Sequence, residues 1–369
     1  MTPDYLRLAI ALLLPWAGGF FWLAAAEQRC NPLPPNRLRQ LGYALFIGYA
    51  GVQGTVLAYN GLTGSVAFLP ILSVIAVLTA LGGVLFILGY RKEPTPAAAS
   101  IGAGQATGYA RLALMLFLAW ACFHLLLSAI EIIYRPIFPW DAWLNWMYRA
   151  KTWFYAGAVM PMAAPADWLN GNITATYNVA GNNYPTFPSI MALWTALALG
   201  QWSETLVNLP VLCCGIALAL GLYGQCRETG LPTWLAVTAV YLLLSIPLIG
   251  THLSLAGQAD IWMAGFTGLG LVALLGGQVR ESPYHTCLGL LLLGLGIAVK
   301  NEGLVWFMAA LLVLCTARWP RTLAAATGAA VAILGLAWIL GISSVDLPLL
   351  GKLGIENSQV HIPLVGSYT

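Results

Sequence analysis

Charged side chains are scarce in this sequence. Only 8% of its 369 residues are Asp, Glu, Lys or Arg, whereas 60% are hydrophobic and the mean hydropathy is +0.80. Because soluble domains carry roughly 25% charged residues, this composition excludes a large soluble domain and predicts a polytopic membrane protein. The net charge of +3 is small for so long a chain, so no nucleic-acid partner is indicated.

Several motifs of soluble enzymes are also missing. The chain has no phosphate-binding glycine loop, no nucleophile elbow and no cysteines at zinc-site spacing. A site for ATP or for a cytosolic nucleotide sugar is therefore not indicated. No internal repeat of fixed period is present either, which disfavours the common layouts of secondary transporters.

Apolar runs that are long enough to span a membrane recur along the chain. Clear candidates are 5–26, 41–60, 65–90, 109–134, 206–224, 233–250, 261–277 and 322–340. The run 287–316 is too long for one span and is interrupted by Lys300-Asn301-Glu302. It predicts two short helices that meet at this polar break.

The short apolar run 189–202 decides the orientation of the chain. If this run does not cross the membrane, the basic residues of the short loops fall on one side, as the positive-inside rule expects. These residues are Arg29, Arg37, Arg39, Arg91, Lys92, Arg111, Arg227, Arg280, Arg318 and Arg321. We therefore predict about ten spanning helices, with both termini and the Asp141 loop on the outer face.

The longest polar interval of the chain, 135–188, lies in that outer loop. On a helical wheel that starts at Asp141, four residues fall within one quarter of the circle: Asp141, Asn145, Arg149 and Thr152. Aromatic and apolar residues occupy the opposite side. The pattern predicts an amphipathic juxtamembrane helix whose polar face lines a cavity. An ordinary interfacial anchor is the alternative, because Trp and Tyr collect at this depth.

Further polar residues fall on the same predicted side of the membrane. Asp260 precedes an apolar helix, His252 lies nearby in the sequence, and Lys300 and Glu302 flank a break between helices. Ionisable groups at membrane depth usually face a bundle interior or a wet cavity, so we predict one outward-facing polar cleft. The alternatives are an N-cap role for Asp260 and mutual pairing of Lys300 with Glu302.

Four short motifs follow one another between 109 and 340: Trp140-Asp141-Ala142-Trp143 with Ala150-Lys151 downstream, Tyr184-Pro185, Ala259-Asp260, and Val299-Lys300-Asn301-Glu302-Gly303. In these motifs and their order the chain resembles the GT-C superfamily of polyprenyl-phosphate-sugar-dependent glycosyltransferases. Within it, the chain is similar to bacterial relatives of protein O-mannosyltransferases and of the lipid A aminoarabinose transferase.

The resemblance implies an all-α polytopic membrane fold with a GT-C-like core of seven helices. The core would occupy 109–342, with the outer catalytic loop at 135–188. A three-helix membrane addition would precede it at 1–108, and an outer tail would follow at 343–369. The implied location is the bacterial inner membrane, part of the cell envelope, with the active site on the periplasmic face.

The implied activity is transfer of a sugar, with inversion, from a polyprenyl phosphate to a glycan, lipid or protein acceptor. Asp141 would be the catalytic base. The cations near the donor phosphate would be Arg149, Lys151, Arg135 and Lys300. Contacts to the substrates would come from Asp260, Asn145, Tyr184, Trp140, Glu302 and His252. Many relatives have a Lys before the Pro of the second motif; here Asn182, Asn183 and Tyr184 precede it, so another cation must substitute.

The sequence requires no cofactor, although a divalent metal is compatible with Asp141, Asp260 and Glu302 if these carboxylates converge. Two other functions stay open. A multi-pass transporter or lipid flippase would bind its substrate in the same outward-facing cleft. A non-catalytic membrane subunit would use the acidic residues to pair with a partner.

Overall fold

The computed structural model describes residues 4–31, 34–89, 108–163, 165–171, 184–255, 257–319 and 328, and four strands between 344 and 368. The chain divides into two compact units, Met1–Phe307 and Met308–Thr369. The first unit is a bundle of helices, and the second contains the strands. The division falls within the helix Glu302–Arg318.

The described helices follow the predicted apolar runs closely. They are α1 Tyr5–Cys30, α2 Arg37–Thr63, α3 Phe68–Gly89, α4 Gly108–Tyr134, a π-helical turn Ala142–Trp146, α5 Met147–Ala156, α6 Pro165–Leu169, α7 Phe187–Leu199, a 3-10 turn Leu206–Asn208, α8 Leu209–Glu228, α9 Thr233–Ser245, α10 Pro247–Ser254, α11 Asp260–Val279, α12 Pro283–Gly296 and α13 Glu302–Arg318. The predicted span 322–340 lies outside the described residues, apart from position 328.

Six helical segments in the described residues are long and apolar enough to cross a membrane: α1, α2, α3, α4, Leu206–Glu228 and α11. The pair α9 and α10 makes a seventh if it counts as one span, although it bends by 66°. The helical, polytopic membrane character is thereby confirmed. The count of ten spans and the GT-C core stay predictions.

The break between α12 and α13 confirms the prediction of two short helices that meet at Lys300. The α12 helix ends at Gly296, and α13 begins at Glu302. Between them the chain makes a tight turn, in which the Gly303 amide donates to the Lys300 carbonyl over 2.9 Å. A Cβ added to Gly303 would collide with the Gly296 carbonyl, so this turn requires glycine there.

The α7 helix is the short apolar run on which the predicted orientation depends. It is buried along almost its whole length. At its C-terminal end the Leu199 carbonyl accepts from the amide of Asp4 over 3.4 Å, next to the start of α1. The chain then enters Leu206–Glu228 from this same end of the bundle, which we call the Asp4 end. With 13 residues, α7 is shorter than the helices that qualify as spans, and that the run does not cross stays a prediction.

A buried ion network lies at the other end of the bundle, where α1 finishes, which we call the Glu27 end. Arg39 Nη2 is 2.5 Å from Glu27 Oε1, and Arg39 Nε is 2.6 Å from Glu228 Oε1. Arg280 Nη1 is 2.8 Å from the other oxygen of Glu228. Because these residues come from α1, α2, α8 and the end of α11, the network fastens the first two helices to the remainder of the bundle.

The second unit contains an antiparallel sheet in the order β1-β2-β3-β4. Its strands are β1 Ser344–Leu347, β2 Gly351–Glu356, β3 Gln359–Ile362 and β4 Gly366–Tyr368. Consecutive strands pair, as in Ser344 with Gly354 and Val360 with Tyr368. The sequence predicted only a tail over 343–369. The strands of the second unit are therefore an exception to the all-α fold class that was expected.

Candidate functional site

Four of the predicted site residues lie together at the Asp4 end. Lys300 Nζ is 3.0 Å from Asp260 Oδ1 and 3.6 Å from Glu302 Oε1. His252 Nδ1 is 3.8 Å from the other carboxylate oxygen of Asp260. We call these four residues the Asp260 cluster. Its side chains are partly exposed, so a ligand can approach it, and the predicted convergence of these positions is found in the described structure.

Two backbone features bring the Asp260 cluster together. The bend after α9 occurs at Ile246-Pro247, and Pro at the first position of α10 suits this sharp start of a helix. His252 lies in the last turn of α10, and the bend brings this turn close to Asp260. Gly257 then turns the chain into α11 with φ of 84°, a conformation that favours glycine. Ala259 is the N-cap of α11, so the alternative role of Asp260 as N-cap is wrong.

Charge compensation holds Lys300 in its protonated form. Partial burial lowers the pKa of Lys300, but the hydrogen bond and the charge of Asp260 raise it, and the charge of Glu302 raises it further. The net result is a pKa above the usual lysine value. Lys300 is thus a fixed cation between two carboxylates, and its ammonium group has three donors for hydrogen bonds.

The second motif lies beside the Asp260 cluster and links it to the outer loop. The Phe187 amide donates to the Ala298 carbonyl over 3.3 Å, two residues before Lys300. The Tyr184 ring packs edge-on against Trp146, with 5.2 Å between the ring centroids. Tyr184 is also close enough to affect the pKa of Lys300 electrostatically. The segment 184–187 therefore connects the α5 region to the Lys300 turn.

The start of the outer helix differs from the predicted amphipathic α-helix. Residues Ala142–Trp146 form a π-helical turn, and the α-helix proper begins at Met147. Because a π-turn advances by more residues per turn than an α-helix, the helical wheel from Asp141 misplaces Asn145 and Arg149. Trp146, Met147 and Ala150, on the predicted apolar side, are buried as expected. Asn145 is only 7% exposed and Arg149 only 3%, whereas Trp143, on the predicted apolar side, is 61% exposed. The predicted polar face lining a cavity is thus wrong for Asn145 and Arg149.

Asp141 lies at the exposed beginning of this π-helical turn. Its side chain makes no capping hydrogen bond, and the neighbouring Trp140 is 72% exposed. The next residue, Ala142, is buried against the turn that leads to Asp260. A Cβ added to Gly257 would lie 2.8 Å from the Ala142 side chain. The backbone that carries Asp141 therefore packs directly on the loop that carries Asp260.

Arg149 points into the protein and binds main-chain carbonyls. Its Nη1 donates to the Tyr184 carbonyl and its Nη2 to the Pro185 carbonyl, each over 2.7 Å. Burial lowers the pKa of Arg149 to about 10, so the guanidinium stays charged at neutral pH. The predicted phosphate contact of Arg149 stays a prediction, and in this structure the same groups hold the second motif.

The other two predicted phosphate ligands form exposed ion pairs outside the Asp260 cluster. Lys151 Nζ is 2.5 Å from Glu204 Oε1 and lies over the Trp202 ring. Arg135 Nε is 2.8 Å from Glu131 Oε2, one helical turn earlier in the chain. Exposed pairs of this kind hold their partners weakly, so both cations can exchange a carboxylate for another anion.

The network at the Glu27 end was not predicted from the sequence. Arg39 was counted among the loop arginines, but it lies within α2 and is completely buried. Among the described residues, Glu27, Glu228 and His285 form a group whose possible ligand atoms lie within 4.8 Å of one another. Arg39 already compensates both carboxylates. The only signal in the sequence was the occurrence of acidic residues at the ends of α1 and α8.

No group of three possible metal ligands in the described structure includes Asp141, Asp260 or Glu302. The Lys300 ammonium lies within 4 Å of both Asp260 and Glu302, where a metal would have to bind. These residues do not fit a divalent cation while Lys300 is protonated.

Comparison of the chain with protein-family models, with curated proteins and with solved structures finds no match. The resemblance to GT-C glycosyltransferases therefore stays a prediction that depends on the four motifs. The geometry of the Asp260 cluster and of the neighbouring outer loop is independent of that resemblance.

Proposed function

We propose that this protein is a membrane-embedded inverting glycosyltransferase that uses a polyprenyl-phosphate-linked sugar as donor. The observation that carries the proposal is the Asp260 cluster, in which the cation Lys300 lies between two carboxylates next to the Asp141 loop. A charged, solvent-accessible cluster at one end of an apolar bundle is typical of a functional site in a membrane protein.

The proposed reaction is a single displacement at the anomeric carbon of the donor sugar. The acceptor hydroxyl oxygen forms the new bond to this carbon while the bond from the carbon to the phosphate oxygen breaks. The electron pair of the broken bond goes to the phosphate oxygen, and the proton of the acceptor hydroxyl goes to the Asp141 carboxylate. An inverting reaction requires a base on the face opposite the leaving group, and Asp141 is exposed enough to reach an incoming acceptor.

Lys300 is the residue that we assign to the leaving phosphate. Its neighbours keep it protonated, and negative charge develops on the phosphate oxygen as the bond to the sugar breaks. A fixed cation at that position stabilises the transition state. Polyprenyl phosphate is already a good leaving anion, so a general acid is not needed. Lys151 and Arg135 are secondary candidates because their present partners are exposed carboxylates.

The remaining residues of the site would contact the sugar and the acceptor. Asp260 and Glu302 offer acceptor oxygens to sugar hydroxyls, and His252 offers a ring nitrogen beside Asp260. Tyr184 and the exposed Trp140 offer aromatic surfaces. Asn145 is buried, and its Oδ1 has no hydrogen-bond partner in the described residues, so this oxygen could accept a hydrogen bond from a substrate hydroxyl. The acceptor would be a glycan, lipid or protein on the periplasmic face of a bacterial inner membrane.

Complementation of a deletion strain tests the proposal whichever sugar the protein transfers. The strain would receive the wild type, Asp141→Asn or Asp167→Asn, and mass spectrometry of its lipids, glycans and proteins would detect the sugar that is missing after deletion. Asp167 is a matched control, since it is an exposed carboxylate in the same outer loop. We expect wild type and Asp167→Asn to restore the sugar. We expect Asp141→Asn to transfer it at least about 100-fold more slowly, the usual loss for a missing general base.

An unchanged sugar profile after deletion would overturn the glycosyltransferase proposal. Near-normal transfer by Asp141→Asn, at equal protein amount in the membrane, would overturn the role of Asp141 alone.

A further inference from the structure

Arg149 makes several contacts to which the proposed reaction assigns no role. The guanidinium group lies between two indole rings, 5.4 Å from the Trp146 centroid and 5.7 Å from that of Trp153. Its two terminal nitrogens donate to consecutive carbonyls, those of Tyr184 and Pro185. Trp153 is itself fixed, because its Nε1 donates to the Met160 carbonyl over 2.8 Å. Arg149 is therefore surrounded by aromatic and main-chain contacts, and it binds the second motif, Tyr184-Pro185.

Within the described part of the chain, few other main-chain hydrogen bonds fix the segment 184–187 that Arg149 binds. Pro185 and Pro188 have no amide hydrogen to donate. After the two carbonyls bound by Arg149, the next contacts are the Thr186 hydroxyl, which accepts from Gln53 Nε2 over 3.1 Å, and the Phe187 amide, which donates to Ala298. The segment 184–187 thus connects two contacts: Arg149 binds its first two carbonyls, and the amide of Phe187 binds the Ala298 carbonyl just before the Lys300 turn.

We propose that Arg149 is a positioning residue, which sets the place of the Lys300 turn through main-chain contacts along Tyr184–Phe187. The proposal rests on the proposed function only for its effect on sugar transfer, since the positioning itself can be measured without substrate. It assigns to Arg149 a role different from direct contact with the donor phosphate.

Arginine is specifically required for this role. The planar guanidinium can donate to two neighbouring carbonyls at once and can stack between two aromatic rings, whereas a lysine ammonium is a point charge on a flexible stem. A substitution by Lys keeps the charge but loses the two-pronged contact. Positioning therefore predicts that Arg149→Lys and Arg149→Gln are similarly impaired. Phosphate binding predicts that Arg149→Lys keeps most of its activity.

Hydrogen–deuterium exchange of the full-length protein in detergent or nanodiscs, without any substrate, tests the proposal. We expect Arg149→Lys to speed exchange in peptides covering 184–190 and 297–303 by about tenfold or more, because a charge-assisted hydrogen bond contributes at least that factor. Lys151→Gln is the matched control, since it removes a neighbouring exposed cation without touching the segment. It should leave both peptides unchanged.

A milder variant keeps the test decisive if the Arg149 variants do not fold. Thr186→Ala removes the contact with Gln53 from the middle of the same segment. Faster exchange at 297–303 in this variant is expected. Unchanged exchange there, in Arg149→Lys or in Thr186→Ala, would overturn the proposal.

The split between kinetic constants provides the readout on the reaction. A positioning role lowers kcat in Arg149→Lys and Arg149→Gln alike, whereas a phosphate ligand would raise the donor KM mainly in Arg149→Gln. If exchange rises as expected but no sugar transfer is found even in the wild type, the positioning stands and the proposed function fails.

Discussion

Lys300 Nζ and Asp260 Oδ1 lie 3.0 Å apart, although 40 residues separate the two positions in the chain. This contact joins the first turn of α11 to the break between α12 and α13. It also brings together two of the four motifs on which the resemblance to GT-C enzymes depends. In the proposed function, Lys300 stabilises the charge that develops on the donor phosphate.

Substitution of Lys300 by Gln should weaken donor use much more than acceptor use. The variant loses the cation on which phosphate charge would develop and leaves Asp260 without its partner. We expect kcat/KM for the donor to fall by about 100-fold, the usual effect of removing one electrostatic stabiliser. Lys151→Gln, at a secondary candidate for the phosphate, is measured in the same kinetic assay, and Arg227→Gln, at the opposite end of the bundle, is the control. A loss in Lys151→Gln as large as that in Lys300→Gln would shift the phosphate site towards Lys151.

The raised pKa of Lys300 predicts how the ion pair depends on pH. A group whose pKa is higher in the folded protein stabilises it fully below the unfolded pKa, about 10.4 for lysine, and loses this effect as pH rises through the folded value. The difference in thermal stability between wild type and Lys300→Met should therefore be constant from pH 6 to 9 and should shrink only in the alkaline range above the usual lysine pKa. Thermal melts of both proteins in detergent across this range measure it. A difference that disappears near neutral pH would contradict the direction of the shift.

Much of the architecture was predictable because a membrane-spanning helix requires a long run of apolar residues, which is visible in the local sequence. The predicted run 109–134 and the observed α4 Gly108–Tyr134 agree to within one residue. The break at Lys300 followed from the polar residues that interrupt the apolar run 287–316. The same reasoning placed Asp260, His252, Lys300 and Glu302 on one side, and the described structure brings these four residues together.

What the sequence did not reveal depends on backbone irregularity or on long-range pairing. The π-helical turn at Ala142–Trp146 changes which side chains face inward, and a wheel at constant 100° per residue cannot represent it. The partners of Arg149 are 35 and 36 residues away, and Arg39 pairs with Glu228 across 189 residues. No local pattern indicates such contacts, because they depend on how the helices pack.

Gly257 provides a test of the coupling between the Asp141 and Asp260 loops. It has φ of 84°, and a Cβ there would lie 2.8 Å from both Ala142 and Met147. Gly230 is a matched control with φ of 85° and open space around it. Gly257→Ala and Gly230→Ala share the backbone strain of about 1–2 kcal/mol, but only the first pushes the two loops apart. We therefore expect the rate of sugar transfer to be at least tenfold lower in Gly257→Ala and near the wild-type value in Gly230→Ala. Both rates are measured below the melting temperature of Gly257→Ala. Equal activities would separate the Asp141 loop from the Asp260 cluster.

The buried network at the Glu27 end should dominate the stability of the bundle rather than its activity. Arg39 contacts Glu27 and Glu228 with side chains that are almost completely buried, so Arg39→Gln leaves two carboxylates without their shared cation. Removal of one partner from such a buried pair destabilises a protein by about 3–5 kcal/mol.

Arg227→Gln is the control, because Arg227 is an exposed arginine in the last turn of α8 that donates to the Leu231 carbonyl. Exposed positions of this kind change stability by about 0.5 kcal/mol or less. Thermal melts in detergent should thus show a large loss for Arg39→Gln and a small one for Arg227→Gln. The protein that stays folded should keep its donor KM, since the network lies at the opposite end of the bundle from Lys300. A selective rise in donor KM in folded Arg39→Gln would instead show that the two ends are coupled.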